Sequence, residues 1–322
     1  MSGRIDRQTL KKLRPRSAVF QFNRLLGRYS RAIWVLGEGR SGTTLLADFI
    51  SAFGSYRTMF EPFHPGRVSE SGFLPMLTYR RPSEDDPQLQ AFASRVFSGA
   101  LVHPWVDRRS NGGFIHDGLI VKDVFASLIA KWALQRFPNT KPVLILRNPF
   151  AVAQSKRRTG NWAWVKRPAE LLAQPALVDD HLNSRQVAVL EDADRSGDLI
   201  LAQIAIWAAV HFVMFRQFSP GELHLVFYEN LVSAPGVEMD RLAGVLARPA
   251  PGAARIEKVM ATPTSVATVG SVERARDTTN AWRRDLSETE ISRGLAVLSA
   301  FDLVNLYDRQ GQPVGSALNH FA

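Results

Sequence analysis

Short apolar runs that alternate with segments of helical spacing constrain this chain of 322 residues more than any other feature. Residues 32–37 (AIWVLG) form an apolar run bounded by glycine, and TLLADFISAF places apolar residues at 45, 46, 49, 50 and 53, a helical face with Gly54 as its stop. LIVKDV (119–124) leads into helical FASLIAKWALQRF, and PVLILR (142–147) leads into a helix from about Phe150. LHLVFY (223–228) follows a long apolar stretch, residues 199–215. Gln203 and His211 interrupt that stretch, which is short for a membrane span and reads as a buried core helix with a packed core histidine. The alternation predicts an α/β fold with a mainly parallel sheet sandwiched by helices. A capping-box pattern at 287–290 (SETE) starts a last helix to about Ala300, with Ile291, Leu295 and Leu298 at core spacing.

Charge divides the chain unevenly. The net charge is +10, and residues 1–31 hold nine basic residues against the single acid Asp6. This predicts a basic N-terminal arm over 1–31, a solvated tail or a contact for an anionic membrane surface, and one domain over 32–322. Nucleic acid is not an expected partner. The polar stretches near 62–117 and 158–198 read as decorations where an acceptor would be recognised. The chain contains no cysteine, which excludes disulfides, zinc-thiolate and iron-sulfur sites and thiol catalysis, and suits a reducing compartment. No apolar stretch follows the charged N-terminus as in a secretory signal, so the expected location is cytoplasmic, peripheral to a membrane if the arm docks there.

Residues 37–44 read GEGRSGTT between the first strand and the first helix, the setting in which a glycine-rich loop wraps phosphate oxygens. The segment fits G-x-x-x-x-G-K-[ST] except that Thr43 stands where nucleotide hydrolases carry lysine. Without that cation, and with Arg147 rather than a metal-binding aspartate after LIL, triphosphate chemistry is disfavoured. The loop suits an anionic centre of lower charge, held by backbone N–H groups, Thr43, Thr44 and Arg40. The whole pattern predicts a P-loop NTPase-like, three-layer α/β/α fold.

RSGTT at 40–44, from Arg40 through Ser41, Gly42, Thr43 and Thr44, resembles the 5'-phosphosulfate loop of the sulfotransferases that use 3'-phosphoadenosine 5'-phosphosulfate. A second motif is independent of the first: that family binds the 3'-phosphate with a strand-end arginine and a serine eight residues on, and RNPFAVAQS places Arg147 and Ser155 at this spacing. Tyr228 in FYENL is similar to a family tyrosine near the adenine. Residues 264–286 resemble the family's C-terminal region, in which Arg274 and Arg276 could reach phosphate and Trp282 would pack. The resemblance implies sulfonate transfer to a hydroxyl of a carbohydrate or small metabolite, with Gly39 to Thr44, Arg147, Ser155 and Tyr228 holding the co-substrate and no metal required.

Such a transfer needs a base and positive charge on the leaving oxygen. Arg40 supplies the charge. MFEPFHP (59–65) offers Glu61 and His64, and the resemblance to carbohydrate sulfotransferases with F-E-P favours Glu61. His64 and Asp123 are further candidates, Lys122 could orient the sulfonate, and Trp162 and Trp164 could stack on a sugar. Glu61 could instead be a surface carboxylate paired with Arg57. Two alternatives stay open: a nucleotide kinase or nucleotidase using magnesium ATP, and a nucleic-acid or membrane-surface binding protein acting through the arm.

Overall fold

The computed structural model describes residues 7–109, 113–160, 164–262 and 279–315, with side chains from residue 16 onward. Five strands form one sheet: β1 (Ala32–Leu36), β2 (Tyr56–Phe60), β3 (Gly118–Lys122), β4 (Thr140–Leu146) and β5 (His224–Phe227). Their order is β2-β3-β1-β4-β5 and every pairing is parallel. All five residues of β1 are buried, as a central strand covered on both faces requires.

The two-residue strand period sorts the core into two layers. Trp34 and Leu36 face one side with Val121, Leu144 and Leu146, whereas Ile33 and Val35 face the other with Ile120, Val143 and Ile145. The helices Arg7–Leu25 (α1) and Thr43–Ser51 (α2) open the chain, and α2 covers the second face together with helices Tyr228–Ser233 and Pro235–Leu246. On the first face lie α3 (Pro87–Phe97), α4 (Ala130–Arg136), α5 (Pro149–Thr159) and the long helix Leu199–Gln217. The fold is thus the expected three-layer α/β/α, with an all-parallel sheet among the described residues.

The long apolar helix is a core element. Asp198 caps it by accepting from the N–H groups of Ile200 and Leu201, and most of its residues are buried inside the protein. His211 Nδ1 donates to the Trp207 carbonyl at 2.7 Å, and complete burial pulls its pKa down to about 4, so it is a neutral core histidine.

Three local expectations are corrected. The apolar-run reading missed β2 because Arg57 lies within it; the guanidinium is fully buried, ion-paired to Asp107 at 2.9 Å and stacked 4.0 Å from the Phe20 ring. Residues 16–31, read as part of an arm, lie against the body: Phe20 and Tyr29 are buried, and Asn23 accepts from His116 N and donates to the Phe114 carbonyl. In the last helix, Glu288–Ala300, the Ser287–Glu290 capping box forms and Leu298 is buried, but Leu295 is 42% exposed. The reason is Gly294, where an added Cβ would lie 2.4 Å from the Phe150 ring; this close approach turns residues 294, 297 and 298 inward and 295 out.

Candidate active site

Because all strands run the same way, their C-terminal ends share one edge of the sheet. Delivered there are Gly37–Thr44 after β1, Glu61 after β2, Lys122 at the end of β3, Arg147 after β4 and Tyr228 after β5. β1 lies between β3 and β4, so the loop leaves the sheet where the strand order reverses direction, the position at which open α/β sheets gather ligands.

The loop's shape requires two of its glycines. Gly37 has φ 150°, and a Cβ there would lie 2.7 Å from the Ile145 carbonyl oxygen; Gly42 has φ 94°, and a Cβ there would strike the Tyr228 ring at 2.4 Å. Arg40 adopts φ 76° without being glycine, a left-handed conformation that is uncommon for a residue with a Cβ. Gly39 borders Trp164, whose ring lies 3.8 Å from where a Cβ would stand. Gly42 is the N-cap of α2 and no side chain caps this helix, so the N–H groups of its first turn, from Thr43 and Thr44 on, are free of the usual internal partner.

Here the two sequence motifs meet. Arg40 Nε donates to Ser155 Oγ at 3.0 Å, and the Arg147 guanidinium donates to the Arg40 carbonyl at 3.0 Å while lying 4.4 Å from the centre of the Tyr228 ring. Burial first, and then the neighbouring Arg147, pull the Arg40 pKa down. An anion beside Arg40 would offset this unfavourable effect of burial and of the second cation. Arg147 Nε and Ser41 Oγ are buried without a hydrogen-bond partner among the described residues, donors that suit phosphate or sulfonate oxygens.

A buried polar group supports the loop from below. Lys156 Nζ pairs with Glu38 Oε2 at 2.6 Å and donates to Gln203 Oε1 at 2.8 Å, and Gln203 Nε2 donates to the Val165 carbonyl. Sequence reasoning missed Glu38 and Lys156 as a pair, because no spacing rule links a loop acid to a residue 118 positions away. The one signal was Gln203, a polar interruption in an apolar helix.

Glu229 steadies Arg147 from behind by accepting from Asn148 N at 2.9 Å. Burial raises its pKa from 4.5 to about 7. The unfolded chain therefore releases this proton at lower pH than the folded one, and the contribution of Glu229 to stability falls as pH rises from about 4.5 to about 7. Glu229→Gln should remove that fall, so the variant gains on the parent between pH 5 and pH 8 in urea unfolding; parallel stability profiles would refute the assignment.

Glu61 stands two strand spacings from the loop, on the order of 10 Å. Its φ is 47°, its N–H donates to the Lys122 carbonyl at 2.7 Å, and its Oε1 accepts from Lys122 Nζ at 2.6 Å. Oε2 makes no hydrogen bond to the described residues. Lys122 is thus the ion-pair partner of Glu61, and Arg57, the partner considered from sequence, is engaged with Asp107 instead.

His64 lies one turn on. Its ring is buried between Trp105, 5.4 Å away edge-on, and Phe125, 4.7 Å away, and burial lowers its pKa. His64 Nδ1 accepts from Gly66 N at 3.2 Å, which puts the proton of the neutral ring on Nε2 and makes that atom a donor. Asp123 is completely buried and accepts from the N–H groups of Phe63 and Phe125, with burial raising its pKa to about 7. It anchors the turn that carries Glu61 and His64. Trp282 packs, stacked on Phe150 at 4.9 Å. Trp162, Arg274 and Arg276 lie outside the described residues.

No family model and no curated protein matches the chain. Among solved structures it is similar to the sulfotransferase domain from the curacin biosynthetic pathway, at 15% identity and a TM-score of 0.45 over 84% of this chain and 97% of that one. The sulfotransferase domain from the Synechococcus PCC 7002 olefin synthase matches at 16% identity and a TM-score of 0.44, over 86% and 95%. A sulfotransferase from Alicyclobacillus acidocaldarius matches at 14% identity and a TM-score of 0.37, over 84% and 98%. All three are described as sulfotransferases, the family that the sequence motifs resemble; superpositions this loose carry no statement about activity or substrate.

Proposed function

We propose that the chain is a sulfotransferase that moves a sulfonate group from 3'-phosphoadenosine 5'-phosphosulfate to a hydroxyl acceptor, a carbohydrate or small metabolite. The observation that carries this reading is the junction of the two motifs: Arg40 bonded to Ser155, and Arg147 bonded to the Arg40 carbonyl, at an uncapped helix N-terminus. The donor supplies a sulfonate on a phosphate leaving group. In this reading the loop N–H groups, Thr43, Thr44 and Arg40 hold the 5' side, Arg147 and Ser155 hold the 3'-phosphate, and Tyr228 and Gly39 border the nucleotide. The acceptor oxygen forms a bond to sulfur as the bond from sulfur to the phosphate oxygen breaks. Glu61 Oε2 takes the acceptor proton, and Arg40 stabilises the charge left on the phosphate. Lys122 orients Glu61 through Oε1, and His64, whose Nε2 is a donor, is the weaker base.

The test is a thermal-shift comparison of adenosine 3',5'-bisphosphate, ADP and magnesium ATP. Bisphosphate at about 100 times its dissociation constant should add about 2.7 kcal/mol of stability without metal. A shift with magnesium ATP alone would favour a kinase or nucleotidase instead. Arg147→Ala should weaken bisphosphate binding by about 1.5–3 kcal/mol and leave ADP binding nearly unchanged; equal losses for both would remove Arg147 from the 3'-phosphate.

A further inference from the structure

Beside Glu61 the edge carries positive charge that the proposed transfer does not use. Arg108 lies 3.9 Å from the centre of the Phe60 ring and 3.7 Å from that of Trp105, and Arg67 approaches the same tryptophan at 5.1 Å. Lys122 also rests on Phe60, at 4.5 Å. The nearby cations Lys122 and Arg109 are already paired, with Glu61 and with Asp48 at 2.8 Å. Arg67 and Arg108 form no ion pair with a carboxylate among the described residues, and both are exposed to solvent. Arg108 lies close enough to Glu61, Arg67 and Arg109 to feel each of them. Stacking on an aromatic face leaves a guanidinium's edge N–H groups aimed outward, an arrangement suited to binding an oxyanion.

We propose that Arg67 and Arg108, mounted on Trp105 and Phe60, form an anion subsite for the acceptor, so that the compound sulfonated at its hydroxyl also carries a carboxylate, sulfate or phosphate. The fate of the hydroxyl rests on the sulfonate-transfer reading above; the anion subsite stands on its own geometry. Its position next to Glu61 sets the spacing, with the anion on the two guanidiniums and the hydroxyl at Glu61 Oε2.

The probes are matched pairs, methyl glucuronide against methyl glucoside and N-acetylglucosamine 6-sulfate against N-acetylglucosamine. Binding is measured by calorimetry on the full chain, with and without adenosine 3',5'-bisphosphate, and transfer is followed with labelled donor. The anionic member of a pair should bind at least about tenfold more tightly, and R67Q/R108Q should erase the difference, raising KM for the anionic acceptor with kcat within about twofold. Arg81→Gln, an exposed change at the Asp180 pair, serves as the control. Equal binding of charged and neutral members, no binding of either anion to a chain that binds bisphosphate, or unchanged affinity in R67Q/R108Q would overturn the subsite. Anion binding through Arg67 and Arg108 in a chain that ignores bisphosphate would keep the subsite and overturn the sulfonate-transfer reading.

Discussion

Lys156→Met is expected to destabilise the fold by about 3–5 kcal/mol, although the side chain is replaced by one of similar length. Both members of the Lys156–Glu38 pair are 3% exposed, so removing the cation leaves a carboxylate with no water and no counter-charge. Glu38 Oε1 already lacks a hydrogen bond among the described residues, and Lys156 is the cation bonded to Oε2. In a domain of this size the loss corresponds to a drop in Tm on the order of 10 °C. Adding Glu38→Gln should restore most of it, because a neutral amide costs far less to bury than a charge. Breaking the Arg167–Asp194 pair by Arg167→Gln should change stability far less, since that arginine is 69% exposed and water replaces the contact. Thermal unfolding of the three variants checks the order, and a Lys156→Met protein as stable as the parent would mean that the pair does not brace the loop.

Glu61→Gln should lower turnover by a factor on the order of 100 to 10,000, the range a positioned base supplies. The amide retains an oxygen that can accept from Lys122, so the fold and the turn behind it should persist. Bisphosphate binding should be unchanged, because the groups that would hold it lie in the loop after β1, at the end of β4 and in α5 rather than after β2. Steady-state rates with saturating donor, read beside a bisphosphate titration of the same variant, separate loss of the base from loss of binding. Full activity in Glu61→Gln would transfer the role to another group.

The strands that sequence made legible are those that contain an unbroken apolar run, residues 32–36 in β1, 119–121 in β3, 142–146 in β4 and 225–227 in β5, because helices cover both faces of the sheet there. β2 escaped because it contains Arg57, whose charge is matched by Asp107, fifty residues on, and whose plane is matched by Phe20. The glycine loop and the Arg147–Ser155 pair were legible since each lies within a short stretch of fixed spacing. Their contact was not, nor were the Glu38–Lys156 and Glu61–Lys122 pairs, because such partners are brought together by strand order alone. Leu295 shows the same limit in a helix: its spacing pointed to the core, and only the approach of Phe150 to Gly294 decides which way the helix is turned.

The uniform direction of the sheet also governs when the site comes into being. Each parallel neighbour is reached only through a crossover, so Arg40, Glu61, Lys122, Arg147 and Tyr228 enter during synthesis one at a time, in chain order, and none can hold another until its strand has docked. A nascent chain that has emerged only as far as Lys122 owns the glycine loop but neither Arg147 nor Ser155 to close it. Ligand that binds the completed edge therefore acts after the slow steps of folding are over, and its stabilisation falls chiefly on the rate at which the finished molecule comes apart.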